Sequence, residues 1–344
     1  MTVTKYILYI PLIFLIIQSC MEPEVEDLWS IEIDSIMETS GFARDLTIHD
    51  NTAIIAAGQS GVQVWDLLTS SMMQNFSGYE EGGTFLEFDD LALIHLDKSN
   101  NLIFASESNK DVKIFHYDGG DILAYRNTIM SAKTKDFITF PSNIDQFIMY
   151  SADNDDGMKW HYYNLDTTNS YGIEFIQWTP YGGAEIYTPG KPLGIDSDGS
   201  TMIAMAVDQL GVELFSIDSL GAEPVFIGRV DTQGNAEKVA LNLNGVYVAC
   251  DDAGASYIPL ESFNGTGELI YFAKDLTVDH IAVKENIASL SIGPKGIALY
   301  DVSDPLAPQE KGIFPIGYSY MSMFWGDKLL VCTREGLQQI TIEK

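Results

Sequence analysis

Apolar residues in this chain fall in short runs bounded by Gly, Asn, Asp and Ser, and no long segment keeps a 3.6-residue period with caps at its ends. The expectation is strands and almost no helix. The stretch GFARDLTIHDNTAIIAAGQSGVQVWDL (41–67) reads as three strands: a strand A that starts polar, an apolar strand B, and a strand C of the form G-V-x-V-W-D. The stretch GYSYMSMFWGDKLLVCTREGLQQITI (317–342) repeats that outline. B strands such as TAIIAA and MIAMAV are apolar on both faces, as in a small sheet covered by a neighbour on each side.

The unit occurs seven times, with strands A beginning near residues 43, 89, 134, 191, 236, 278 and 319, a spacing that suits one four-stranded propeller blade per repeat. Six units continue into a fourth strand, among them SMMQNFSG, VFIGRVD and QEKGIFPI; the seventh does not. The segment WSIEIDSI (29–36) alternates Trp29, Ile31 and Ile33 with Ser30, Glu32 and Asp34, the pattern of a strand with one wet face. Paired with the last strand C, it closes the ring and covers an edge that would otherwise template aggregation. The expected fold is all-β: a seven-bladed β-propeller of four-stranded blades over residues 28–344, closed by an N-terminal strand at about 28–36 that completes the last blade.

The recurrent pattern G-[FY]-x-x-x-[LV]-x-[IV] followed by G-[LV]-x-[VL]-x-D, with DVSDPLAPQEKGIFPIG in the sixth unit, resembles the LVIVD-repeat β-propellers of bacteria over nearly all of the chain beyond its N-terminal segment. That resemblance implies the propeller fold and a surface or periplasmic protein. It implies no particular chemistry.

The N-terminus MTVTKYILYIPLIFLIIQSC has one cation, Lys5, then an apolar run from Ile7 to Ile17, then Ser19 and Cys20. At about 1.5 Å per residue that run is too short for a hydrocarbon core about 30 Å thick, so residues 1–19 read as a signal peptide. IIQSC resembles a bacterial lipobox in which Gln18 replaces the usual small residue. The resemblance makes Cys20 the lipidated first residue of a mature lipoprotein, with residues 20–27 as an acidic tether. The expected location is the bacterial cell envelope, as an outer-membrane lipoprotein that is periplasmic or surface-exposed. The other two cysteines, Cys250 and Cys332, lie in different repeat units and read as buried thiols.

Composition narrows the partners. With 49 Asp plus Glu against 19 Lys plus Arg, the formal charge is −30, which excludes a nucleic-acid phosphate backbone as partner. The expected partners are the membrane, through the lipid on Cys20, and a protein, peptide or glycan of unknown identity.

Strands A of a propeller surround the central channel, and their starts meet at one mouth. Aligning the seven units there brings together Arg44, Asp45, Asp89, Asp90, Lys135, Asp136, Lys191, Glu237, Lys238, Asp279, His280 and Tyr320. Mixed signs around a ring suit a zwitterionic, sugar-like or peptide ligand; they equally suit a self-neutralising ring that closes the mouth. The acidic stretches SADNDDGMKW (151–160) and IDSDGSTMIA (195–204) read as turns, since neither continues into a twelve-residue calcium loop with a terminal Glu. The five histidines have no zinc spacing, with His49 and His95 closing A–B turns. Trp65, Phe115, Phe215 and Tyr300 recur at one strand C position and read as packing between blades.

The function these features support is a non-enzymatic binding or scaffold module without a resident cofactor. It would work through the channel mouth or through two longer loops at 77–85 and 179–190. The alternative is a calcium-dependent, lactonase-like hydrolase with Asp45, Asp90, Asp136, Glu237 and Asp279 as ligands, which Lys135, Lys191 and Lys238 at the same mouth would oppose.

Overall fold

The computed structural model describes residues 27–344 apart from 109–110, 130–133, 144, 154–156, 171 and 218–222. The expected signal peptide, Cys20 and most of the expected tether lie outside the described residues. Seven antiparallel four-stranded sheets form a seven-bladed β-propeller. The innermost strands A are Asp45–His49, Leu91–Asp97, Thr134–Asn143, Gly194–Ser197, Lys238–Leu241, His280–Lys284 and Ser319–Trp325, in blades 1 to 7. Among the described residues the one helical element is a 3-10 turn at Leu260–Asn264.

Blade 7 is completed by the strand expected at 29–36, although a bulge between Ile33 and Ser35 breaks the alternation and leaves Ile33 exposed beyond buried Trp29 and half-buried Ile31. Ser30–Met37 pairs with Gly336–Glu343, from Ser30 opposite Glu343 to Met37 opposite Leu337. The glycine that opens strand C reports this fourth strand. In blades 1, 4, 5 and 6, Gly61, Gly211, Gly254 and Gly296 have positive φ, and a Cβ there would lie 2.1–2.3 Å from a carbonyl oxygen of, or just after, strand D. Gly336 (φ +129°) meets the carbonyl of Met37 in the same way, at 2.2 Å, so the N-terminal strand fills the place of a strand D in the seventh blade.

The core lies between blades. Trp65, Phe115, Phe215 and Tyr300 are all buried. Each sits at a β-bulge against strand D, between Val64 and Trp65, Ile114 and Phe115, Leu214 and Phe215, and Leu299 and Tyr300. The extra residue on strand D lets one large ring per blade turn into the inter-blade layer. Cys250 and Cys332 are free and buried.

Both expected long loops are strands. Residues 77–85 fall mostly in a hairpin of Gly78–Glu81 and Thr84–Glu87, pinned by buried Tyr79 packing on Phe88 and Phe115. Most of 179–190 belongs to strand D of blade 3, Ile173–Ile186, paired along a 14-residue strand C, Gly157–Ser170. Pro180, Gly182 and Gly183 occupy bulged and edge positions of a long ribbon, and Pro189 and Gly190 follow it.

Candidate functional site: the channel and its mouth

Pairing with strand B shows which residues of strands A share a layer. Opposite Ala56, Ser106, Ala152, Ala206, Ala249, Ser291 and Cys332 stand Asp45, Leu93, Asp136, Gly194, Lys238, His280 and Met321. The sequence alignment is therefore right in five blades and wrong in two. In blade 2, Leu93 occupies the place expected for Asp90. In blade 4, Gly194 stands in this layer, and Lys191 lies before the strand begins.

A cavity of about 660 Å³ occupies the channel. Seven of the twelve expected residues line it: Arg44, Asp45, Asp136, Lys238, Asp279, His280 and Tyr320. Asp89, Asp90, Lys135, Lys191 and Glu237 do not. Asp90 stands at the rim, 2.9 Å from Arg44 Nη2, and the Asp89 backbone N–H donates to Glu107 Oε1 at 2.5 Å. His95 and Asp196 line the cavity unannounced, because they lie deeper along strands A than the positions aligned at the strand starts. His95 lies within strand A and not at its turn, with Nε2 2.9 Å from Thr139 Oγ1.

Three channel carboxylates hold adjacent blades together. Asp45 Oδ2 accepts the Ile94 N–H of blade 2 at 2.9 Å, Asp136 Oδ2 that of Ile195 in blade 4 at 3.3 Å, and Asp196 Oδ2 that of Leu241 in blade 5 at 2.8 Å. Oδ1 of Asp45 and of Asp136 accepts the next N–H of its own strand, from Leu46 and Phe137. Strand A is the edge of its sheet, so N–H groups facing the channel have no strand partner. These carboxylates supply the acceptor.

Asp136 also accepts Lys238 Nζ at 2.7 Å, an ion pair that links blade 3 to blade 5 across blade 4. The crossing depends on Gly194. A Cβ at that position would lie 2.6 Å from Glu237 O and 3.1 Å from Lys238 Cδ.

Burial inside the channel moves its titrations. Desolvation raises Asp45 and Asp196 to about 7, against backbone hydrogen bonds that lower them. Desolvation, helped by the Lys238 ammonium, lowers His280 to about 3. His95 is lowered by desolvation as well, against the pull of Asp136 and Asp97. Uncharged imidazoles therefore stand at neutral pH beside two carboxyls, of Asp45 and Asp196, that titrate in the neutral range.

The mouth is two-sided. Near blades 7 and 1, the Arg334 guanidinium lies 4.0 Å from the Tyr318 ring centre and 5.6 Å from that of Phe42, and its Nε donates to Tyr320 Oη at 3.2 Å. Arg44 lies 5.7 Å from the Tyr320 ring centre. Near blades 5 and 6, burial and the Asp251 carboxylate raise both Glu237 and Asp279. Arg334, Tyr318 and Phe42 escape an alignment of strands A because they lie in a B–C turn and in the segments that lead into strands A. The signal available was that B–C turns share this face.

The acidic stretch at 195–204 is a turn. Asp198 Oδ1 accepts N–H groups of Ser200, Thr201 and Met202 at 2.8–2.9 Å. In 151–160, residues 154–156 lie outside the described residues.

No known protein family and no curated protein matches the sequence. Solved structures share the fold. The computationally designed Ika8 protein is 14% identical with a TM-score of 0.60, covering 91% of this chain and 99% of its own. U3-55K is 11% identical (TM-score 0.66; 90% and 98% covered), and the RRP9 WD40 repeats are 10% identical (0.64; 91% and 97%). At these identities the likeness is one of fold alone.

Two predictions follow from the channel. Gly194→Ala should destabilise the protein by about 1–3 kcal/mol in thermal or denaturant unfolding, because backbone must move to admit the methyl. Gly182→Ala, whose Cβ meets nothing closer than Tyr162 Cδ2 at 3.5 Å, should stay within about 0.5 kcal/mol. The second prediction concerns pH. Asp45, raised when folded, contributes stability below pH 3.8 that is lost as pH climbs through about 7. His280, lowered when folded, contributes stability above pH 6.5 that is lost as pH falls toward 3. Between these limits the two slopes oppose, each by up to about 1.4 kcal/mol per pH unit. Unfolding curves from pH 4.5 to 6.5 should tilt in opposite senses: relative to wild type, Asp45→Asn gains stability as pH rises and His280→Gln gains it as pH falls. Curves parallel to wild type would contradict these shifts.

Proposed function

We propose that this chain is a binding or scaffold module of the bacterial cell envelope, anchored through lipid on Cys20 and built on LVIVD-type repeats, whose working surface is the channel mouth. The observation that carries the reading is the contrast between channel and rim. The inner carboxylates are engaged by backbone N–H groups and Lys238, whereas the rim has Arg334, Phe42, Tyr318 and Tyr320 on one side and carboxylates on the other. The calcium-dependent hydrolase gains no support from this arrangement, since Asp45 and Asp136 already serve as acceptors and the Lys238 ammonium stands among them.

The position of the N-terminal strand fits the same reading. Ser30 pairs with Glu343, far along strand C from the B–C turn, and Met37 pairs with Leu337 beside the turn that carries Arg334. The chain therefore joins the ring on the face opposite the mouth. Anchored by the segment before Asp27, the mouth faces away from the bilayer.

In-cell crosslinking tests the reading. Wild type should capture a peptide, protein or glycan partner from the envelope, and Arg44→Glu/Arg334→Glu should lose it while Lys191→Glu, outside the cavity, retains it. Cys20→Ala should move the protein from the membrane to the soluble fraction. Equal capture by all variants would remove the mouth as the working surface.

A further inference from the structure

Arg334 is held by rings rather than by an ion pair. Tyr318 and Phe42 lie against its guanidinium and its Nε donates to Tyr320 Oη; the neighbouring Glu335 charge acts on it, yet no Asp or Glu forms an ion pair with it among the described residues. Stacking fixes the plane of the fork and leaves its outer N–H groups toward solvent, the arrangement that suits bidentate recognition of a carboxylate.

The opposite pole is acidic. Burial and the Asp251 charge act on both Glu237 and Asp279; Lys238 offsets this at Glu237 only in part, its ammonium being paired with Asp136, and neither carboxylate forms an ion pair among the described residues. A ligand ammonium would relieve that repulsion. The two poles adjoin at Gly293, whose absent Cβ would lie 3.3 Å from Asp279 Oδ2 and 3.6 Å from Tyr318 Oη. Asp279 and Tyr318, the ring against Arg334, thus approach the same glycine.

A simple anion would meet the field of a chain with formal charge −30, and a simple cation would have no use for Arg334. A cavity of about 660 Å³ lies directly below, well within the range that takes small ligands. We propose that the mouth binds a short zwitterion of peptide type, with its carboxylate on Arg334 and its ammonium on Asp279 and Glu237. This assignment rests on the mouth being the working surface and names its ligand class.

Calorimetric titration of the full chain with trialanine, acetyl-trialanine and trialanine amide tests it. Trialanine should bind, and either cap should weaken binding about tenfold or more. Arg334→Gln should lose discrimination against the amide but keep that against the acetyl form, and Asp279→Asn should do the reverse. Arg334→Lys, which keeps the charge without the fork, should retain part of the amide discrimination. Equal binding of all three peptides, no binding of trialanine, or its displacement by a neutral oligosaccharide would overturn the proposal. If trialanine fails while Arg44→Glu/Arg334→Glu still abolishes capture in cells, the mouth stands as the working surface and this ligand class falls.

Discussion

A propeller blade has an open edge on its innermost strand, and seven such edges face one channel too narrow for another strand. Leaving a buried N–H unpaired costs about 1–3 kcal/mol, so the ring needs acceptors there. Asp45, Asp136 and Asp196 provide them, each for an N–H of the next blade along the chain. Backbone bridges do similar work, beside the carboxylates between blades 1 and 2 and blades 4 and 5 and in their place between blades 5 and 6 and blades 6 and 7, where Leu91, Ala236, Val278 and Ser319 donate to Gly58, Asp208, Asp251 and Gly293 of the preceding blade. Ring closure extends the same logic to the outer edge of blade 7, which Ser30–Met37 covers.

Once those carboxylates are committed to the frame, the chemistry of the channel follows. Asp136 answers Lys238 only because Gly194 leaves the path open, so one missing side chain sets the charge pattern of three blades. Interior groups become elements of stability whose titrations offset one another. The groups left for recognition sit at the rim, where Arg334 is fixed by aromatic rings and Asp279 and Glu237 are raised by burial and by the Asp251 carboxylate.

The fold was legible because its determinants are local and repeated. Period-two alternation at 29–36, apolar B strands, and the Gly before strand C each have a direct backbone reason, the last being the close approach of a fourth-strand carbonyl. The site was legible only in part. A bulge precedes the channel layer in blades 2, 3 and 7 alike, but in blade 2 the acidic pair Asp89–Asp90 drew the alignment away from Leu93, which stands in the layer of Asp45. Asp196 was hidden inside an acidic run that also holds a true turn residue, Asp198. Arg334 and Phe42 belong to segments that strand alignment does not compare, and their convergence depends on ring geometry that no local pattern encodes.

Amide hydrogen exchange resolved at Ile94, Ile195 and Leu241 tests the central claim most directly, using Asp45→Ala, Asp136→Ala and Asp196→Ala. The account predicts that each substitution lowers protection about tenfold or more at its own partner, Ile94, Ile195 or Leu241 respectively, and leaves the other two amides protected. Unchanged protection at all three sites would mean that the channel carboxylates do not hold the blades together.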